Sequence, residues 1–276
     1  MPNQQNNKPA FFRLEERCLI KISGADAESF LQSLVTQDMA RLQAGRLVYA
    51  CLLTPQGRFL HDLFIFREDG DFFLECETQR REDLLRRLKV FKLRSKVIIE
   101  DCAETFSVYA GDQGTFRDPR LEALGYRSYL PVNAAMAGTG SAAAYKDRRI
   151  HLGVPEGSID IKPEGDTLAD VNLDILHAVS WDKGCFVGQE VAARMENRGL
   201  VKKRMVIISG AQLVAGGALT QNGPTVGEVR SINASGTEGL AILKLAALDR
   251  DSGPVMQPDG TIIAAYPPAW LHLENT

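Results

Sequence analysis

Cys185 stands in the run WDKGCFVGQEVAARMENRGLVKK, residues 181–203, the densest group of chemically versatile side chains in the sequence. Gly184 and Gly188 bracket it and let the backbone turn sharply, so the thiol sits on a tight loop. Residues 191–197 read as a short helix, with Gln189 and Glu190 at its amino end. A helix amino terminus carries partial positive charge, and Lys183 adds a full one; together they would draw a thiol from about 8.5 towards roughly 7. Glu190 acts in the opposite sense. An exposed thiol on such a loop suits redox chemistry, covalent chemistry or transient metal contact. The same spacing also fits a small apolar cysteine packed in a core, with the glycines as ordinary turn residues. Arg194, Arg198, Lys202, Lys203 and Arg204 could rim an anionic ligand, or form a solvated helix face followed by a linker.

Other candidates are weaker. His61 and Asp62 could form an acid/base pair, but neighbours on a strand point to opposite faces. His177 follows Asp170 and Asp174 at spacings that suit a metal, and solvent-facing polar residues explain them as well. Residues 86–96 carry six basic side chains interleaved with Leu88, Val90, Phe91 and Leu93, which reads as the wet face of an amphipathic segment before it reads as an RNA contact. GTGS at 138–141 lacks the lysine of a phosphate-binding loop.

The elements that must position these residues follow from periodicity. Residues 1–10 are polar and expected to be disordered. Strands are expected at 18–22, 48–53, 59–67, 72–77, 96–100 and 106–110, where apolar or β-branched residues run between turn signals such as Thr54-Pro-Gln-Gly57. Helices are expected at 25–34, capped by Asp26, and at about 80–92, with Leu84, Leu85, Leu88 and Phe91 facing inward. Residues 134–144 form a loop or loose helix, residues 148–154 lead into a turn at Pro155-Glu-Gly157, and residues 170–179 make a further helix. Beyond Lys202 strand-like pieces alternate with turn residues every eight to twelve positions, which fits a small all-β barrel or sandwich. A domain boundary is expected near 199–204.

Composition narrows the class. The 276 residues are 45% hydrophobic and 24% charged, ordinary for a globular chain of one to three domains. The net charge of −3 argues against sequence-blind binding to nucleic acid. The five cysteines (18, 51, 76, 102 and 185) are widely spaced and lack a CxxC pair, so a closed zinc or iron–sulfur site is not readable. The polar start lacks a signal peptide and no run approaches the length of a membrane span, which leads to the expectation of a reduced, cytoplasmic, soluble protein.

KGCFVGQE at 183–190 resembles the cysteine signature of the YgfZ family. The resemblance extends along the chain: FLQ at 30–32 with TQD at 36–38, LTPQGR at 53–58, LRSKV at 93–97, DPR at 118–120, RIHLGVP at 149–155 and NLDIL at 172–176. It implies the fold of the tetrahydrofolate-dependent T-protein of glycine cleavage: an α+β architecture of two interleaved α/β subdomains, residues 11–199, and a C-terminal β-barrel, residues 203–276, around a central channel for folate. It further implies a cytoplasmic folate-binding accessory protein for iron–sulfur assembly or repair, with clients such as a tRNA-modifying methylthiotransferase and no direct contact with nucleic acid. Cys185 matches the family's functional cysteine. Lys183, Phe186, Gly188, Gln189 and Glu190 match its frame and are expected to hold reduced folate, Glu190 at the pterin edge and Arg194 and Arg198 at the anionic tail. The T-protein carries paired aspartates where this sequence has His61 and Asp62; the single retained carboxylate leaves a folate-dependent aminomethyl transferase or demethylase using Asp62 as the alternative. A third possibility is an interaction module without a working folate channel.

Overall fold

The computed structural model describes residues 10–42, 45–134, 140–197 and 201–273. The expected disordered start lies almost wholly outside these residues, as do Arg198, Gly199 and the middle of the low-complexity stretch. In chain order, β1 (Phe11–Arg13), β2 (Arg17–Ser23), α1 (Ala27–Leu34), β3 (Val48–Leu53), β4 (Phe59–Glu68), β5 (Asp71–Glu77), α2 (Arg81–Lys92) and β6 (Ile98–Asp101) come first. Then follow β7 (Phe106–Gly111), β8 (Phe116–Arg117), β9 (Tyr126–Pro131), α3 (Ala142–His151), α4 (Gly157–Asp160) and α5 (Gln189–Asn197). The last part is all β: β10 (Lys203–Ser209), β11 (Ala218–Thr220), β12 (Thr225–Ile232), β13 (Glu238–Lys244), β14 (Val255–Met256) and β15 (Ile262–Tyr266).

The first sheet is antiparallel in the order β3-β4-β5-β2-β6, and the second runs β1-β7-β9-β8. The chain starts in the second sheet, builds the first, and returns to the second at β7, so the two subdomains are interleaved. Alternation along the strands sorts side chains between two cores. Cys18, Ile20 and Ile22 pack with Leu63 and Ile65 beneath α1 and α2, which contribute Phe30, Leu31, Leu34, Leu84 and Leu88. Leu19, Phe64, Phe66 and Phe73 face the second sheet. Phe66 stacks on Phe73 and Tyr129 at ring distances of 5.0 and 4.5 Å. The last six strands close into a barrel, β10-β13-β12-β11-β14-β15, with its own apolar interior.

A buried ionic network ties the first sheet to the second sheet and to α3 and α4. Arg127 on β9 pairs with Glu75 on β5, with Asp118 at 3.1 Å and with Glu156 at 3.0 Å. Arg17 on β2 reaches Glu75 at 2.7 Å and Asp62 at 2.9 Å. Arg120 joins Asp118 and Glu156, both at 2.9 Å, and Tyr145 accepts from Arg120 and Arg127. Burial alone would raise the Glu156 carboxyl, yet Arg120 and Arg127 hold it well below the usual carboxylate range.

Several expectations need correction. Residues 170–179 are not a helix: after the short turn Ala169–Val171 the backbone is left-handed at Asn172 and His177, both with φ of 61°. The buried apolar residues there, Val171, Leu173, Leu176, Ala178 and Val179, all enter the main core, and the Asn172 amide is drawn to the Met205 carbonyl at 2.8 Å. Asp26 does not cap α1; its carboxylate accepts the Lys96 amide at 2.7 Å. Phe91 is not inward but 37% exposed. Of the loop or loose helix expected at 134–144, the described end is helical from Ala142, where α3 begins and runs to His151, its first turn capped by Ser141.

Removing one cation from the network would strand several charges in low dielectric. Arg127→Met is expected to lower stability by about 3–5 kcal/mol in urea unfolding. The double variant Glu75→Gln/Arg127→Met should recover part of that loss.

Candidate functional site

The loop that carries Cys185 is built from the inside outward. The Lys183 side chain is buried, and its Nζ donates to the carbonyls of Gln32, Val35 and Gln37 at 2.7, 2.7 and 2.9 Å. These oxygens lie at and beyond the carboxyl end of α1, where carbonyls lack intrahelical donors and a cation is favoured. Burial lowers the amine to about 8, yet three acceptors call for three N–H donors, which only the ammonium has. Phe186 is buried in the main core, 5.3 Å from the Lys183 nitrogen. Gly188 has φ of 84° and packs against the β3–β4 turn; a Cβ there would meet the Thr54 carbonyl at 2.5 Å. α5 begins at once, with the Ala192 amide bonded to the Gly188 carbonyl. With both ends pinned, Cys185 is left exposed, whereas Cys18, Cys51, Cys76 and Cys102 are buried.

The motif therefore divides. Lys183, Phe186 and Gly188 are anchors, while Cys185, Glu190 and Arg194 face outward and Gln189 is half-buried. Lys183 was expected to bias the thiol, but its charge is spent on α1. Glu190 and Arg194 form an exposed ion pair with each other.

A cavity of about 440 Å³ opens elsewhere, between the start of β2, the end of β5, α3 and α4. Arg17, Glu77, Tyr145, Lys146, Arg149 and Ser158 are among its lining residues. None of Lys183, Phe186, Gly188, Gln189, Glu190 and Arg194 lines it. Two of the lining residues carry a buried polar atom without a hydrogen-bond partner, Arg17 Nη2 and Glu77 Oε2, the latter 3.9 Å from the Arg80 guanidinium. The other Glu77 oxygen accepts from the amide and hydroxyl of Ser158, each at 2.7 Å. Burial and the Asp62 charge push the Glu77 carboxyl up.

Asp62 lies behind this wall. One oxygen meets Arg17 and the other accepts from Tyr49 at 3.2 Å and from the Gly157 amide at 3.3 Å. Its neighbour His61 points to the opposite face and bonds Asp83 of α2 at 3.0 Å, so the two do not share a pocket. His177 is exposed, and no group of three or more metal-ligating side chains occurs among the described residues. The cavity residues Arg17, Glu77, Tyr145 and Ser158 were not anticipated. A usable signal was a charge inside an apolar strand, as with Asp62 in FLHDLFIF and Glu75 in FFLECE, because such a charge must find a buried partner.

Two outcomes follow. Gly188→Ala should push the loop off the β3–β4 turn, cost about 1–3 kcal/mol in thermal unfolding, and change the alkylation rate of Cys185. Burial, with Arg80 adding to it, lowers His61 to about 4, so the native ring stays neutral while the unfolded one takes up a proton as pH falls below 6.5. Stability attributable to His61 is thus present above pH 6.5 and lost towards pH 4. Between pH 7 and 4.5 the wild type should lose roughly 2–3 kcal/mol more than His61→Gln in urea titrations; equal losses would show that the native ring is charged.

Comparison with known proteins agrees with this geometry. Residues 10–110 match the GCVT N-terminal domain, and residues 202–273 match the CAF17 C-terminal beta-barrel domain. The glycine cleavage system aminomethyltransferase T of Bartonella henselae superposes with a TM-score of 0.76 over 95% of this chain and 86% of that one; at 17% identity this shows the fold alone. The mitochondrial iron–sulfur cluster assembly factor IBA57 homologue of Mycosarcoma maydis is 34% identical over 71% of this chain and 56% of its own length. The mouse and human factors are each 30% identical, over 84% and 85% of this chain and 77% of theirs. The chain thus spans little more than half of the fungal relative it matches and about three quarters of the mammalian ones. These relatives are named as mitochondrial, and that finding overturns the cytoplasmic expectation, which rested on a polar start, the lack of a membrane-length apolar run and the family resemblance. Among the described residues no helix is long and apolar enough to cross a membrane. With barrel, interleaved sheets and most of its length matched in these proteins, the chain belongs to the IBA57 family of iron–sulfur cluster assembly factors.

Proposed function

We propose that this chain is an accessory factor for iron–sulfur protein assembly or repair that offers the Cys185 thiol to a partner and holds a reduced folate in the cavity beside the ionic network. The relatives' names support the assembly role, and the motif's resemblance to the YgfZ signature supports the thiol and the folate. The observation that carries the thiol's part is its exposure on a loop anchored on either side by Lys183, Phe186 and Gly188. One cysteine cannot hold a cluster that needs about four ligands, so the remaining ligands come from the partner or a small thiol.

What supports a pterin there is the cavity volume of about 440 Å³ and the unpartnered groups on two of its lining residues. Glu77 Oε2 would accept from the amino and N3–H donors of a pterin edge, and Arg17 Nη2 would donate to its carbonyl oxygen. Lys146 and Arg149 lie on the same walls and suit the anionic tail, though Arg149 is already paired with Asp160. A bound folate would supply a one-carbon carrier. The aminomethyl-transfer alternative needs a free carboxylate at Asp62, and both oxygens of Asp62 are engaged within the protein. Client enzymes, including those that modify tRNA, belong to the same reading.

Calorimetry with tetrahydrofolate should show binding that Glu77→Gln weakens at least about tenfold, the order of one lost hydrogen bond to a charge. No heat with the wild type would retire the folate part. Cys185→Ser should keep folding and folate affinity while lowering [4Fe–4S] enzyme activity several-fold in cells that depend on this chain; unchanged activity would retire the thiol part.

A further inference from the structure

The carboxyl end of α2 carries a surface that neither the cavity nor the thiol uses. The apolar stripe of α2 runs from Leu84 and Leu88, both buried, to Phe91, which emerges 37% exposed beyond the core. Val90 is 65% and Leu93 86% exposed, and Ile98, at the start of the edge strand β6, is 59% exposed. Isolated exposed apolar residues are ordinary, but four within nine positions, from the end of α2 to the start of β6, are a local excess.

Leu93 is the informative one. The Ser95 amide bonds the Lys92 carbonyl at 2.8 Å, closing a tight turn with Leu93 in its first central position. There Leu93 has φ of 44° and ψ of −110°, close to the conformation that a type II′ turn reserves for glycine. A leucine at this position strains the turn and gains no burial in return, so its side chain contributes nothing evident to the fold. Around it stand Lys89, Lys92, Arg94 and Lys96, none of which has a carboxylate within ion-pair distance among the described residues. The molecule as a whole is acidic, with a net charge of −3, so four unpaired cations in eight positions are a local excess. Shallow depressions lie along the ridge, one at Glu82, Leu85, Arg86, Lys89 and Val90, the other at Asp26, Leu93, Arg94 and Ser95.

We propose that this ridge is a docking site for another protein, and that the docked element is an acidic segment carrying an apolar side chain. The segment's carboxylates would meet Lys89, Lys92, Arg94 and Lys96, and its apolar group would cover Leu93, Val90 and Phe91. Paired depressions beside a ridge favour a side-chain-bearing partner over a flat lipid surface. The site is independent of the folate cavity and of Cys185.

The test uses the full chain with p-benzoylphenylalanine in place of Val90, photo-crosslinked in its native cells, followed by purification of the captured protein and titration against the wild type. Leu93→Gly and Lys89→Glu/Lys92→Glu should each weaken that binding at least tenfold, and raising salt from 0.15 to 0.5 M should weaken it further. The captured contact should map to an acidic segment. Leu93→Gly should unfold at the wild-type temperature or above it, since glycine relieves the turn, which separates lost docking from lost folding. The proposal is overturned if nothing is captured, if the captured protein binds the variants as well as the wild type, or if the crosslink joins two copies of this chain. Binding of the wild type, lost in the same variants, to vesicles containing 30% phosphatidylserine with no captured protein would assign the ridge to membranes instead.

Discussion

Charge sealed between two sheets is the constraint on which the rest of this structure depends. Arg17, Arg120, Arg127 and Arg149 face Asp62, Glu75, Asp118, Glu156 and Asp160, all essentially without solvent. In that environment an unpaired ion is costly, so each side chain must be where its partner is. The segments that supply them lie far apart in sequence, from β2 to α4. Pairing them fixes how the second sheet sits on the first and where α3 and α4 close over the edge. The cavity is a by-product of the same arrangement. Arg17 spends Nε on Glu75 and Nη1 on Asp62, which leaves Nη2 without a hydrogen-bond partner on a residue that lines the cavity.

The cysteine loop follows the opposite logic. Its inward-facing residues satisfy one another and the end of α1, and its outward-facing thiol is left without a role in the fold. Gly188 sets the loop against the tip of the β3–β4 hairpin at Gly57, five residues before Asp62. At the rise of an extended strand that separation is roughly 17 Å. Thiol and cavity are therefore neighbouring but distinct surfaces held by the same hairpin, and chemistry at one need not pass through the other.

Much of the fold could be read from periodicity. Strands at 48–53, 59–67 and 72–77 read as nearly continuous apolar runs between turn signals because both of their faces are buried against different layers, and the barrel announced itself through regular turns. Residues 170–179 misled because apolar spacing close to a helical period was satisfied by a chain that turns at two left-handed residues and still brings its apolar side chains into one core. α3 was obscured by an alanine-rich start whose cap, Ser141, lies next to a glycine.

The sequence by itself determined the class of fold, the interleaving implied by its motifs, and Cys185 as the residue to watch. These depend on local periodicity and on a contiguous motif, which are properties of neighbours along the chain. Only the tertiary structure decided that Lys183 serves α1 and not the thiol, that Asp62 is bound up by Arg17, Tyr49 and Gly157, and that the open donor and acceptor belong to Arg17 and Glu77. The reason is physical: a charged side chain is defined by the partner it finds, and these partners are separated by 13 to 151 residues.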